Sequence, residues 1–120
     1  MKDIRAKKKY IDIYIHKRHK AAERGSNMVQ HIVLWTMKEG VDKQQTFRQI
    51  KDVFEGFKAQ VPGMHSLELY QGRQGYDVCL ISTHESWEAL EAYQTFPAHL
   101  EVKGVIKAVR QDRASCDFEL

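Results

Sequence analysis

Residues Val29–Met37 of this 120-residue chain have the sequence VQHIVLWTM. β-Branched and aromatic residues dominate it, which predicts a strand. Successive side chains of a strand point to opposite faces, so the odd-numbered positions share one face. These are Val29, His31, Val33, Trp35 and Met37. Ile32 and Leu34 occupy the other face, and we therefore expect both faces of this strand to be buried.

The residues that follow predict one helix and two strands. Asp42 is suited to cap a helix whose apolar positions recur at spacings of three and four: Phe47, Ile50, Phe54, Phe57 and Val61. Pro62-Gly63 ends this helix. Residues 65–71 and 76–84 predict a second and a third strand, joined by a turn at Gly72–Gly75.

The last third of the chain predicts a broken helix and a fourth strand. Ser86 caps a helix that Pro97 interrupts, and a further helical stretch follows. From Arg113 to Leu120 apolar residues alternate with polar ones, with Asp117 on the polar side. The order β-α-β-β-α-β predicts an α+β, ferredoxin-like plait.

The sheet of such a plait has one face that its own helices leave open. Two helical segments cover one side of four strands, whereas Ile32, Leu34, Cys79 and Ile81 are expected on the opposite side. A second copy packed sheet against sheet would bury them. We therefore expect a homodimer, a dimeric α/β barrel.

Charge divides the chain at Met28. Residues 1–27 hold nine Lys and Arg against three Asp and Glu, a net charge of +6. Residues 28–120 hold ten against thirteen, a net charge of −3. The overall value of +3 therefore says little about the body of the protein, and we expect neither nucleic acid nor membrane as a partner. No apolar run reaches the length of a membrane span or of a signal-peptide core.

Two interpretations of residues 1–27 stay open. An unpatterned, charged terminus is expected to be disordered. Alternatively, Glu23-Arg24-Gly25 can be encoded by a purine-rich, ribosome-binding sequence, so that translation would begin at Met28 and the segment would be a translated leader. In both cases one domain spans residues 28–120. Two cysteines are too few for a disulfide scaffold, which favours a cytoplasmic protein.

His31, Tyr93 and His99 are the candidate catalytic residues. His31 shares its strand face with apolar side chains, and Pro97 lies between Tyr93 and His99, where a kink can turn both toward one cavity. A neutral histidine in an apolar pocket can act as a general base. The expected apolar wall comprises Val33, Trp35, Phe54 and Phe57. The alternative is a structural role, in which a buried His31 is satisfied by Tyr93 or by the backbone.

Other chemistry has weaker support in the sequence. No close-set His, Cys and Asp spacing accompanies His31 and His99, so we expect neither a metal nor a cofactor. His65 and His84 lie near strand ends and are expected to be solvated. Asp112 and Arg113 are expected to form a surface or interface ion pair.

Several segments together resemble one known family. They are MVQHIVLW from Met28, VPGM from Val61, YDVCLIS from Tyr76, EALEAYQTFPAH from Glu88, and the end of the chain from Val109 to Glu119. They are similar to the stress-responsive A/B-barrel domain (Dabb) family over nearly all of residues 28–120 and none of 1–27. The resemblance implies an α+β barrel dimer and implies the fold more firmly than a function.

The resemblance also implies roles for the three candidates. Plant polyketide cyclases of this family catalyse an intramolecular aldol condensation with a strand histidine and a Pro-x-His imidazole. The corresponding groups here are His31 and His99, with Tyr93 as a substrate-orienting hydroxyl. At the first-helix position where those cyclases carry a tyrosine, this chain has Phe54, which cannot donate a hydrogen bond.

Two functions follow as hypotheses. The first is a small dimeric Dabb protein of unassigned activity that binds a small apolar or aromatic molecule. The second is an enzyme, either a polyketide-cyclase-like catalyst or a cofactor-free oxygenase-like one, that uses His31 and His99. A cavity of several hundred Å³ that reaches both histidines would favour the enzyme.

Overall fold

A computed structural model describes residues 27–120, and these residues form a four-stranded antiparallel sheet with three helices. The strands are β1 (Val29–Met37), β2 (Met64–Gln71), β3 (Val78–His84) and β4 (Arg110–Glu119). The helices are α1 (Lys43–Phe57), α2 (Trp87–Gln94) and α3 (Pro97–Val109). The strand order β2-β3-β1-β4 confirms the ferredoxin-like α+β prediction. Of residues 1–27 only Asn27 is described, so the prediction for this segment lies outside the described residues.

The helix caps lie where the sequence predicts them. The Asp42 carboxylate accepts the Gln45 N–H at 3.0 Å at the start of α1, and the Ser86 hydroxyl accepts the Ala89 N–H at 3.1 Å at the start of α2. Pro97 occupies the first turn of α3, where its missing N–H costs nothing. The caps and Pro97 thus fix where each helix starts over the sheet.

Two strands begin two or more residues away from the predicted start. β3 begins at Val78 rather than Tyr76, because the Gly72 N–H donates to the Asp77 carbonyl at 2.7 Å and closes the turn first. β4 begins at Arg110 rather than Arg113, because the ladder with β1 continues past an irregularity to the pair Met37–Arg110.

The hydrophobic core lies between the helices and one face of the sheet. All five odd-numbered residues of β1 are buried there, together with Phe47, Ile50, Phe54 and Phe57 of α1. Val61, predicted in the same helix, is also buried, but it lies beyond the end of α1 and a 3-10 turn (Lys58–Gln60). Burial of large side chains such as Trp35, Phe54 and Tyr93 is worth several kcal/mol in total. None of the three helices is long and apolar enough to cross a membrane.

The opposite face of the sheet carries a second apolar surface, as predicted. Ile32 pairs with Ile81 of β3 and Cys116 of β4, and Leu34 pairs with Cys79 and Ala114. Ile32 and Leu34 remain partly accessible, whereas their neighbours on the helical face are buried. This set of six residues is called the open face below.

Replacing Gly63 with Ala should lower the free energy of unfolding by about 2–3 kcal/mol. Gly63 has a φ of +74°, and a Cβ there would lie 2.8 Å from the Ala89 Cβ, so backbone strain and a clash add together. Gly40→Ala is the matched control, because Gly40 has a φ of +83° but no atom within 4 Å of the added Cβ. Urea denaturation at one protein concentration should show the larger loss for Gly63→Ala, and equal losses would refute the steric argument.

Candidate functional site

His31 lies on the helical face of β1, where it is 5% exposed. The strand register places it directly opposite Asp117 of β4 and Ser82 of β3. The Nδ1–H of His31 donates a hydrogen bond to the Asp117 carboxylate. This bond fixes the ring and the tautomer. Nε2 makes no hydrogen bond among residues 27–120 and is the nitrogen available to a bound molecule.

Tyr93 and His99 meet beneath the break between α2 and α3. Their rings stack with centroids 4.1 Å apart and an interplanar angle of 23°. Tyr93 also meets the edge of the His31 ring at a centroid distance of 6.2 Å. The fold therefore brings all three candidate residues together, and Tyr93 lies between the two histidines.

Three polar atoms at this place make no hydrogen bond within the described residues. They are the Tyr93 hydroxyl, His99 Nδ1 and Trp35 Nε1. Their residues are 0%, 6% and 2% exposed. A buried polar atom without a partner costs about 1–3 kcal/mol. A ligand with polar atoms of its own would offset that cost.

Burial sets the protonation of these side chains at neutral pH. It lowers the pKa of His99 to about 4, with the nearby Lys103 charge acting in the same direction. His99 is therefore uncharged at pH 7. Burial also raises the pKa of Tyr93, so the phenol keeps its proton. The site thus offers a hydroxyl donor and a neutral imidazole beside His31.

A cavity of about 300 Å³ connects these groups. His31, Tyr93 and His99 all line it, and its apolar wall comprises Val33, Trp35, Phe54, Leu80 and Ile106. Three of the four predicted wall residues, Val33, Trp35 and Phe54, are among them. Phe57 is not, because its ring packs between Phe54 and Phe96 at centroid distances of 5.3 and 6.1 Å.

Asp117 is the functional candidate that the sequence did not reveal. The alternation of β4 places it on the polar side of the strand, and that side faces His31. The expected partners of His31, Tyr93 or the backbone, are therefore replaced by a carboxylate. The contact between His31 and Asp117 depends on the register in which β1 pairs with β4. No local signal in the sequence determines that register.

The expectation that His84 is solvated is wrong. His84 is 0% exposed, its Nε2 lies 2.8 Å from the Ser82 hydroxyl, and its ring packs on Tyr93 at 5.1 Å between centroids. His84 lies on the same face of β3 as Leu80 and Ser82, which is the face that the helices cover, so the core buries it. Burial and the neighbouring His31 lower the pKa of His84 to about 4. His65 is exposed, as expected.

The expected ion pair between Asp112 and Arg113 does not form. Neighbouring residues of a strand point to opposite faces. The Asp112 carboxylate therefore accepts from the Thr36 hydroxyl at 3.5 Å, whereas Arg113 lines the cavity on the other side of the sheet. Residues 27–120 contain no group of three or more His, Cys, Asp or Glu side chains placed to hold a metal ion.

A family model described as "Stress responsive A/B Barrel Domain" matches residues 29–120. Solved structures share the fold. A dimeric, ferredoxin-like protein of unknown function from Bacteroides fragilis has a TM-score of 0.71 and 22% identity, over 78% of this chain and 96% of that one. A dimeric, ferredoxin-like protein of unknown function from Thermobifida fusca has a TM-score of 0.71 and 19% identity, over 78% of this chain and 92% of that one.

An enzyme is among the structures with this fold. The hydroxynitrile lyase from Passiflora edulis has a TM-score of 0.68 and 17% identity, over 78% of this chain and 94% of that one. No curated protein matches the sequence. At these identities the likeness establishes the fold alone.

Proposed function

The chain belongs to the stress-responsive A/B-barrel domain (Dabb) family, and we propose that it catalyses proton transfer on a small molecule that contains a carbonyl group. The observation that carries this proposal is one cavity of about 300 Å³ lined by His31, Tyr93 and His99, with His31 held by Asp117. A paired imidazole whose second nitrogen faces a cavity is suited to general base catalysis. A structural histidine needs no such cavity beside it.

The proposed step is abstraction of a proton from the carbon next to the carbonyl. His31 Nε2 takes the proton, and the electron pair of the C–H bond moves to the carbonyl oxygen to form an enolate. The Tyr93 hydroxyl donates a hydrogen bond to that oxygen, and Asp117 stabilises the imidazolium that forms. When the enolate carbon attacks a second carbonyl, His31 returns the proton to the new alkoxide, which completes an aldol addition.

Deuterium exchange tests this step without knowledge of the natural substrate. The protein is incubated in D2O with a panel of aryl methyl ketones, and proton NMR follows the loss of the methyl signal. We expect exchange faster than in buffer, with a rate that saturates as the ketone concentration rises. Exchange at the buffer rate for every ketone, although a ligand binds in the cavity, would contradict the proposal.

Binding without chemistry is the second candidate function, and one observation favours it. Phe54 lies in the cavity wall at the position where the similar cyclases carry a tyrosine, so α1 supplies no hydroxyl to the site. A protein of this second kind would bind a small aromatic molecule and show no exchange. The same NMR experiment therefore separates the two functions.

We further propose that the protein is a homodimer that buries the open face, and that it is cytoplasmic. The two structures from bacteria named above are dimeric proteins with this fold. Apolar residues on the open face lose contact with water when a second sheet packs on them. The thiols of Cys79 and Cys116 are free, which suits a reducing compartment.

Leu34→Glu should convert the dimer to a monomer at micromolar concentration. The substitution places a carboxylate at the centre of the open face, where pairing would strip its water without supplying a partner. Sedimentation velocity gives the mass. Val105→Glu is the control, because Val105 is an apolar residue of α3 that is 56% exposed. A dimeric Leu34→Glu variant, or a wild-type monomer, would refute the assignment of this interface.

A further inference from the structure

Four basic side chains line the cavity that holds His31. Lys103 and Lys107 lie one turn apart on α3, Arg110 follows at the end of that helix, and Arg113 lies on β4 opposite Trp35. The two α3 positions are about 6 Å apart along the helix axis. All four are partly or fully exposed, whereas the apolar wall and the histidines are buried. The cavity is therefore apolar inside and cationic at its mouth.

None of the four makes an ion pair within residues 27–120. Lys103 Nζ donates to the Gln94 carbonyl at 3.2 Å, and the Arg113 guanidinium donates to the Ser115 hydroxyl at 3.3 Å. Other lysines do find carboxylates: Lys43 lies 3.2 Å from Asp77, and Lys58 lies 2.8 Å from Glu55. Carboxylates are thus present in the protein but are not placed at this mouth.

The accumulation of positive charge opposes the overall charge of the domain. Residues 28–120 carry a net charge of −3, yet four of their ten Lys and Arg line this one cavity. The Asp117 carboxylate is already bound to His31. Like charges held together without counterions repel each other, and a bound anion relieves that repulsion.

We propose that the ligand of this cavity is an amphiphilic anion with an aromatic or apolar body and a carboxylate or phosphate group. The body lies against Trp35 and Phe54, beside His31, and the anionic group is held by Lys103, Lys107, Arg110 and Arg113. This inference rests on the proposed function in that it assigns the substrate class of the same site. It also orients the substrate, because the anion at the mouth directs the opposite end of the molecule toward His31.

Three probes with one naphthalene body test the charge of the ligand by calorimetry. They are 2-naphthoate, 2-naphthyl phosphate and the neutral 2-naphthamide. We expect at least one anion to bind about tenfold or more tightly than the amide, with a preference that shrinks at high salt. The affinities of 2-naphthoate and 2-naphthyl phosphate are compared directly, and the probe that binds more tightly identifies the anionic group of the ligand. Equal affinity of all three probes, or no binding by either anion at millimolar concentration, would overturn the inference.

Variants with reversed charge at the mouth of the cavity test whether its basic side chains bind the anionic group. Lys107→Glu combined with Arg113→Glu should abolish the preference for the anions and leave the affinity for the amide within about twofold. The milder pair Lys103→Gln and Lys107→Gln should reduce the preference, and it keeps the test valid if the reversed pair misfolds. Arg48→Glu combined with Lys51→Glu changes the net charge equally on the exposed face of α1, outside the cavity. An equal loss in this control would show that net charge alone is responsible, and would overturn the inference.

The two proposals fail in different ways. If the anions bind as expected but no ketone exchanges deuterium, the proton-transfer function is wrong and the ligand class stands. If exchange occurs and the anions show no preference over the amide, the ligand class is wrong and the function stands. Binding and exchange are measured separately, so each result bears on one proposal.

Discussion

Replacing His31 with Ala should lower the rate of deuterium exchange by at least about 100-fold, the usual contribution of a positioned general base. Nε2 is the nitrogen left to act as a base, because Nδ1 is held by Asp117. His99 is uncharged at neutral pH but makes no bond to a carboxylate that would stabilise its protonated form. It should therefore not replace His31 as the base.

Two further variants separate catalysis from structure. His31→Gln retains a polar side chain of similar size and should lose exchange as severely as His31→Ala, while 2-naphthoate binding is largely retained. His65→Ala removes an exposed histidine outside the cavity and should leave the rate unchanged. Exchange at the wild-type rate in a folded His31 variant would exclude this residue from the mechanism.

Mild acid should destabilise the protein strongly. His84 and His99 have pKa values lowered to about 4 by burial, against 6.5 for an exposed histidine. Between those values the unfolded chain binds more protons, so stability is present above pH 6.5 and is lost as the pH falls toward 4. Each histidine should cost about 2 kcal/mol of unfolding free energy between pH 7.5 and pH 5.

Urea denaturation at both pH values measures this loss. The double variant His84→Gln, His99→Gln should lose less stability between pH 7.5 and pH 5 than the wild type, whatever its stability at pH 7.5. His65→Gln removes a histidine that is exposed in the folded state and serves as the control for the loss of one histidine. An equal loss in the double variant and the wild type would assign the acid sensitivity to carboxylates instead.

Most of the fold could be predicted from local patterns. The alternation of β1, the caps at Asp42 and Ser86 and the break at Pro97 each depend on neighbouring residues alone. The meeting of Tyr93 and His99 was also predictable, because one helix break separates them. Residues that act through short-range geometry are therefore recovered well from the sequence.

Features that depend on distant pairing could not be predicted. Asp117 binds His31 across 86 positions of sequence, and a shift of one residue in the β1–β4 register would turn it to the other face. The burial of His84 depends on how Tyr93 of α2 packs over the end of β3. The cationic mouth joins Lys103 and Lys107, whose spacing is visible in the sequence, to Arg113, which only the fold brings to the same cavity.

A crystal structure of the protein grown with 2-naphthoate shows whether the cavity holds a small molecule against His31. We expect a naphthalene ring between Trp35, Phe54 and Tyr93, within contact distance of His31 Nε2, and a carboxylate directed to Lys103, Lys107 or the arginines. A cavity that stays closed to the ligand in the presence of saturating 2-naphthoate, or a ligand bound elsewhere, would contradict it.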